Sequence, residues 1–309
     1  MKKTVFFFLS LLLIVPSVTL SATTGCGLTI GVSLHPYFSW VENIVGGTAR
    51  VMPLIPPGSD PHTYQPMPAD LEHLQALDAL IINGLGHDEF VGPMLKATDL
   101  KGLKVINTSS GLPLIPSYAT HYDFEGESEK KVSYNSHTYL GITVAVQQIQ
   151  MITAELAKLC PDQASLFKKN SRVYVKKLRK MLAATLAKID SIDTASLRIA
   201  TVHDGYAYLF QELGIKVSAV VQPRHGIEPS ARQLQDTIKR IKRAKVNILF
   251  TELDYEKRYV DIIFQETGCR IYSLSHVSTG TYDSGLFEQD MKQNLEGIVQ
   301  ALLAASGSK

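Results

Sequence analysis

One segment in the middle of the chain constrains the fold most, because it lacks the residues that end helices. From Pro161 to about Ile192 there is no further Pro and no Gly, and strong helix formers are frequent. A continuous helix here would be about 45 Å long at 1.5 Å per residue, more than one small domain needs. The segment 160–192 therefore predicts a rigid connector helix between two lobes.

Short apolar runs alternate with helical patterns on both sides of this connector. The runs that predict strands are 28–32, 51–55, 79–82, 104–107, 198–202, 217–221, 246–250 and 270–274. Strands separated by helices imply a parallel sheet covered on both faces. We predict an α/β fold with two lobes, 26–159 and 193–309, each built on a parallel sheet flanked by helices and joined by the connector.

The N terminus has the composition of an export signal. Lys2 and Lys3 precede a nearly continuous apolar run, Val5–Val15, and small or hydroxyl residues follow as far as Gly25. The run is too short to cross a bilayer as a helix. We predict that residues 1–25 are a signal peptide and that the protein works in the periplasm or on the extracytoplasmic face of the membrane.

Three cysteines bear on anchoring and on disulfides. Cys26 stands close to where a lipoprotein carries its lipidated cysteine, but the usual aliphatic residue three positions earlier is replaced by Thr23. Lipid anchoring through Cys26 and free cleavage near Ala22 are therefore both open. Cys160 and Cys269 fall in different predicted regions, and an oxidising compartment would permit them to pair.

The charge balance excludes one class of partner. The formal net charge is +2, and Lys2 and Lys3 contribute both charges, so the chain without its signal is neutral. A neutral protein lacks the excess of cations that nucleic-acid binding requires. We therefore expect no nucleic-acid partner.

Three histidines occupy positions where a ligand site is expected. His62 follows the second predicted strand, His203 follows the strand 198–202, and His137 stands at the start of a helix. Ligands of open parallel sheets bind beyond the carboxyl ends of the strands. Imidazole suits Zn²⁺ and neighbouring transition metals better than Ca²⁺ or Mg²⁺. No HExxH, HxH or CxxC pattern joins these residues, so the spacing alone does not establish a common site.

Longer motifs around these histidines resemble a known family. The blocks are Gly58-Ser59-Asp60-Pro61-His62-Thr63-Tyr64-Gln65-Pro66 with Pro68-Ala69-Asp70-Leu71, then Asn83-Gly84-Leu85-Gly86, His137 with Tyr139, Val202 to Tyr208, and Glu228-Pro229-Ser230. In this order they resemble the solute-binding proteins of ABC importers for zinc, manganese and iron, the ZnuA- and TroA-like receptors. The resemblance covers essentially everything after the signal.

The resemblance implies a metal site in the cleft between the lobes. His62 and His137 would bind from the first lobe, and His203 with one further ligand from the second. The family usually supplies an aspartate as the fourth ligand, and its place falls here at Ser275. The adjacent His276, the more distant Asp283 or a water molecule would then complete the shell.

The predicted ligand set bears on the metal and the partners. Three or four imidazoles without a carboxylate favour Zn²⁺ over Mn²⁺, which prefers oxygen ligands. The segment 118–135 contains one histidine, His121, where many zinc receptors have a histidine-rich loop, so Fe²⁺ and Mn²⁺ stay open. The resemblance implies a monomer that delivers the metal to a membrane permease and is not an enzyme. A three-histidine zinc hydrolase and a metal-binding surface adhesin are the alternatives.

Other residues near the predicted strand ends invite a functional interpretation. We expect His35 to be satisfied locally, His87 with its acidic neighbours to lie in a solvated turn, and His225 to lie on a loop near the cleft. Glu228 and Glu252 are candidates for orienting the ligating imidazoles through their second ring nitrogens.

Overall fold

The computed structural model describes residues 25–98, 100–117, 133–220, 230–253 and 255–307. The predicted signal peptide, His121, His225 and Glu228 lie outside these residues, apart from Gly25 at the end of the signal. In the described part of the chain, no helix is both long and apolar enough to span a bilayer.

Two four-stranded sheets form the framework, and every strand pairing in them is parallel. The first sheet has the order β2-β1-β3-β4 and contains β1 (Thr29–Val32), β2 (Arg50–Pro53), β3 (Ala79–Ile82) and β4 (Lys104–Asn107). The second has the order β6-β5-β7-β8 and contains β5 (Ile199–Thr201), β6 (Val217–Val220), β7 (Ile248–Glu252) and β8 (Arg270–Leu274). The predicted pair of parallel sheets is confirmed.

The helices connect and cover these strands. They are α1 (His35–Val45), α2 (Pro68–Gln75), α3 (Val91–Thr98), α4 (Ile142–Leu159), α5 (Ala164–Asp190), α6 (Ala207–Glu212), α7 (Ala231–Ala244), α8 (Lys257–Thr267) and α9 (Leu286–Ser306). Because both faces of the sheet are covered, β7 is buried at every position. A strand in this environment need not alternate between apolar and polar residues.

The long helix α5 follows a short 3₁₀ turn, Pro161–Gln163, and runs to Asp190. It buries one face, which includes Phe167, Tyr174 and Leu178, and packs against α1, α4 and α9. Buried residues of both sheets and of these helices form one continuous apolar cluster. The helix that joins the two lobes is therefore held by packing along its length.

The cysteines do not pair in this structure. All three thiols are free, so the Cys160–Cys269 bond considered from the sequence is not formed. Cys160 instead lies beside Cys26. Burial is the main cause and the contact with Cys26 the second cause that raise the pKa of the Cys160 thiol to about 11.

Candidate metal centre

The first ligand candidate, His62, lies in the loop that follows β2. Asp60 shapes this loop, since its Oδ1 accepts a hydrogen bond from the backbone N–H of His62 at 3.0 Å. A hydrogen bond from an aspartate side chain to the backbone two residues later stabilises a turn. His62 is the least buried of the four imidazoles described below.

The second candidate, His137, is fixed by Asn135. Asn135 Oδ1 accepts hydrogen bonds from the backbone N–H and from Nδ1 of His137, both at 2.9 Å. Because a carbonyl oxygen can only accept, Nδ1 carries the proton and Nε2 keeps its lone pair for a ligand. The amide of Asn135 also donates to the backbone oxygen of Asp204 at 2.7 Å, which ties this ligand to the segment that carries His203.

The third candidate, His203, follows β5 at its carboxyl end, where the chain turns into the short 3₁₀ helix Asp204–Tyr206. Gly205 in this turn forms the floor of the site. A Cβ atom there would lie 2.7 Å from His276 Nε2, 2.8 Å from His203 Cδ2 and 3.2 Å from His137 Cδ2. Glycine at this position leaves room for three imidazoles to converge.

The fourth candidate is His276, which follows β8. Its neighbour Ser275 is turned towards α9: its hydroxyl donates to Asp290 Oδ2 at 2.7 Å, and its backbone N–H and C=O bond to the side-chain amide of Asn294 at 2.7 and 2.8 Å. Val277 adopts a φ of +60°, which is unusual for a β-branched residue, and its N–H bonds to Ser275 Oγ. This strained turn leaves Ser275 to stabilise the backbone and brings His276 into the cluster.

The four imidazoles converge at one point between the two sheets. His137 Nε2 lies 3.3 Å from His62 Nε2 and 3.3 Å from His203 Nε2. One ring nitrogen from each of the four histidines lies within 4.8 Å of all the others. Tetrahedral zinc with Zn–N bonds of 2.0–2.1 Å separates its ligand atoms by about 3.3–3.4 Å. The two separations of 3.3 Å thus match a shared metal ion.

Burial keeps one member of this cluster, His137, in the state that binds metal. Burial, followed by the proximity of His276, His87, His203 and His62, holds the pKa of His137 well below its usual 6.5. A neutral imidazole is the form that coordinates a cation. Among the described residues, the histidine cluster that could hold a metal contains no carboxylate.

A fifth imidazole, His87, also lies against the cluster, and the expectation of a solvated turn is wrong. Its side chain is fully buried, with ring centroids 4.1 Å from His62 and 4.7 Å from His137. The neighbouring Asp88 accepts hydrogen bonds from Ser33 Oγ and from the backbone N–H of Asn83 at 2.5 and 2.6 Å. These bonds fold the turn inward. His87 follows the carboxyl end of β3, so the strand-end rule that found His62 and His203 would have found it as well.

The remaining candidates have other surroundings. His35 is buried, donates from Nε2 to the backbone oxygen of Gly280 at 3.1 Å and stacks on Tyr282 at 4.0 Å. Its partners come from a segment distant in sequence, so the expectation of local satisfaction is wrong. Asp283 bonds to the backbone N–H of Gly285 at the start of α9 and is not part of the histidine cluster. Glu252 is buried at the end of β7, and its role in orienting an imidazole stays a prediction.

Two parallel-sheet lobes bridged by one helix, with imidazoles from both lobes meeting between them, define a metal-binding solute-binding protein. The family model described as zinc-uptake complex component A, periplasmic, matches residues 30–301. The chain therefore belongs to the ZnuA family, whose members are receptors of ABC importers and are not enzymes.

Three proteins similar to this chain are named for, or solved with, different metals. The chain is 27% identical over 301 residues to the high-affinity zinc uptake system protein ZnuA of Bacillus subtilis, with 93% of each chain covered. It is 22% identical to the manganese-binding lipoprotein MntA of Halalkalibacterium halodurans, with 90% of this chain and 89% of MntA covered. The solved structure of the solute-binding protein FpvC of Pseudomonas aeruginosa in complex with Ni²⁺ has 40% identity and a TM-score of 0.81, and covers 92% of this chain and 99% of FpvC.

Proposed function

We propose that this protein captures a divalent transition metal, Zn²⁺ first, with His62, His137, His203 and His276, and delivers it to an ABC permease. The observation that carries the proposal is the convergence of four imidazole nitrogens within 4.8 Å of one another. Four side chains from four different loops rarely meet this way without a ligand in common, because each buried polar ring loses its hydration.

The donor set supports zinc ahead of the other metals. Four neutral nitrogen donors suit a borderline-soft cation with tetrahedral geometry, whereas Mn²⁺ favours oxygen donors. The affinities of such sites rise along the first transition series from Mn²⁺ through Fe²⁺ towards the later metals. Fe²⁺ and Mn²⁺ are therefore the weaker competitors in this proposal, and a relative solved with Ni²⁺ makes that ion a further comparison to measure.

Ligands from two lobes make binding and release a matter of lobe geometry. His62 and His137 belong to the proposed first lobe, 26–159, and His203 and His276 to the proposed second lobe, 193–309. The contacts of α5 with α1, α4 and α9 limit hinge bending. The loaded and the empty receptor would then differ by a small rearrangement around the loop of His62, the least buried ligand.

The proposed cellular context follows from the N terminus and the family. We propose export of a monomer to the periplasm or the outer face of the membrane after removal of residues 1–25. Cys26 is partly buried, and its backbone N–H bonds to the oxygen of Thr48 at 2.9 Å. Mass spectrometry of the protein from membranes would show whether Cys26 carries lipid.

The test is metal content in single substitutions of the purified protein. We expect stoichiometric zinc in the wild type and its loss in His62→Ala, His137→Ala, His203→Ala and His276→Ala. His73→Ala is the matched control, because His73 is exposed on α2 and outside the cluster. Retention of metal by all four cluster variants, with unchanged affinity in a chelator competition, would refute the assignment.

Transport is tested separately in cells. We expect deletion of the receptor gene or of its permease to reduce zinc uptake equally, and the His276→Ala protein to fail to restore it. Normal uptake with His276→Ala in a strain that depends on this importer would contradict delivery through this site.

A further inference from the structure

The helix α5 has an unusual charge composition that the metal site does not use. Eight of its 27 residues are Lys or Arg and one, Asp190, is acidic. The helix thus carries a net charge of +7, and because the chain without its signal is neutral, the rest of that chain carries −7. None of the four ligand histidines lies on α5.

These cations are exposed and mostly lack carboxylate partners. All eight are on the surface: Lys168, Lys169, Arg172, Lys176, Lys177, Arg179, Lys180 and Lys188. Lys177 pairs with Glu288, and no other cation of α5 forms an ion pair with the described residues. On α7, by contrast, Lys239 pairs with Asp236 and Lys242 with Glu266. The charge of α5 is thus directed at the surroundings of the protein.

Five of the cations line a groove between α4 and α5. The groove has a volume of about 710 Å³, and its cationic residues are Lys168, Arg172, Lys176, Arg179 and Lys180. Ala154 and Val175 contribute apolar surface to it, and Val173 on the same helix is 65% exposed. Cations beside exposed apolar side chains are the combination found on protein surfaces that lie against a bilayer.

We propose that this basic face of α5, residues 168–180 with the adjoining groove, binds the anionic headgroups of membrane phospholipids. Clusters of four to eight Lys or Arg bind anionic lipid surfaces through additive, weakly directional attraction. In the signal-free chain, the separation of +7 on one helix from −7 elsewhere would orient the receptor with this face towards the membrane.

The composition of the face favours lipid over a protein partner. Five of the seven cations of residues 168–180 are lysine, which is depleted from protein–protein interfaces, whereas arginine is enriched there. Lysine acts as a mobile point charge and suits a fluid surface of phosphates more than a fixed carboxylate. A permease must also contact the region where the metal leaves. The strand-end loops that carry the four histidines form that region, and none of those histidines lies on α5.

The test uses the signal-free, unlipidated protein and vesicles of defined composition. We expect co-sedimentation with phosphatidylglycerol vesicles and none with phosphatidylcholine vesicles, and a steep loss between about 50 mM and about 300 mM salt. The variant Lys168→Glu/Arg172→Glu/Lys176→Glu should weaken vesicle binding by more than about tenfold. Its zinc affinity should be unchanged, which separates this result from any failure of the metal site or of folding.

A matched variant on α7 controls for total charge. Lys239→Glu/Arg240→Glu/Arg243→Glu changes the net charge by the same six units, and we expect it to retain vesicle binding within about twofold. Equal losses in both triple variants, or no binding to phosphatidylglycerol at low salt, would overturn the proposal. Full vesicle binding by the α5 variant, with loss of binding to the permease in phosphatidylcholine nanodiscs, would assign the face to a protein partner instead.

Discussion

Gly205 offers the sharpest test of the geometry of the metal centre, because a single methyl group there intrudes on three rings. The Cβ of alanine would lie 2.7 Å from His276 Nε2 and 2.8 Å from His203 Cδ2. Since unstrained contacts between such atoms are about 3.5 Å or longer, each ring must move by about 0.7–0.8 Å. Functional metal sites tolerate about 0.2 Å in ligand distance. The substitution therefore displaces two ligands by several times the tolerance.

The expected result is a large loss of affinity in a folded protein. Gly205 does not have a positive φ, so alanine fits the backbone. We expect Gly205→Ala to bind zinc about 100-fold more weakly, or about 2.8 kcal/mol, at the upper end of the effect of disturbing groups around metal ligands. Competition with a chromophoric chelator measures the affinity, and circular dichroism measures the thermal midpoint of the metal-free protein.

The control for this substitution is a glycine with empty space around it. A Cβ added at Gly92 in α3 would meet no atom within 4 Å, so Gly92→Ala should leave zinc affinity unchanged. Wild-type affinity in Gly205→Ala would refute the reasoning, since it would mean that the rings do not converge over this residue when metal is bound.

Three further predictions concern the surroundings of the ligands. Because burial lowers the pKa of His137, the unfolded chain takes up a proton that the folded chain excludes, so the thermal midpoint of the metal-free protein should fall as the pH drops below about 6.5, and less so in His137→Gln. Gly280 accepts hydrogen bonds from His35 and from Gly58, in the loop that carries His62. Tyr282→Ala, which removes the ring stacked on His35, should therefore loosen that loop and speed metal dissociation about 2- to 10-fold in stopped-flow chelation, while Tyr282→Phe should keep the wild-type rate. His87→Ala removes packing from the ring of His62 and should weaken zinc binding about tenfold, whereas weak binding by His87→Phe as well would contradict a packing role.

The residues near Ser275 show why the proposed fourth ligand, His276, was difficult to predict. Counting back from Asn294 without gaps placed the family's aspartate position at Ser275, and three substitutes stayed open. The choice of His276 depends on the positive φ of Val277 and on the bonds from Ser275 to Asp290 and Asn294. These are contacts between β8 and α9, and no local pattern encodes them.

By itself, the amino-acid sequence determined the two parallel sheets, the helix between them and the positions of His62, His137 and His203 at strand or helix ends, since hydrophobic period and turn residues act over a few positions. Tertiary structure decided which rings meet. His87 was predicted to be exposed and is fully buried, because Asp88 bonds to Ser33 on a neighbouring segment. Convergence of side chains far apart in the chain depends on how two lobes pack, and that information resides in long-range contacts.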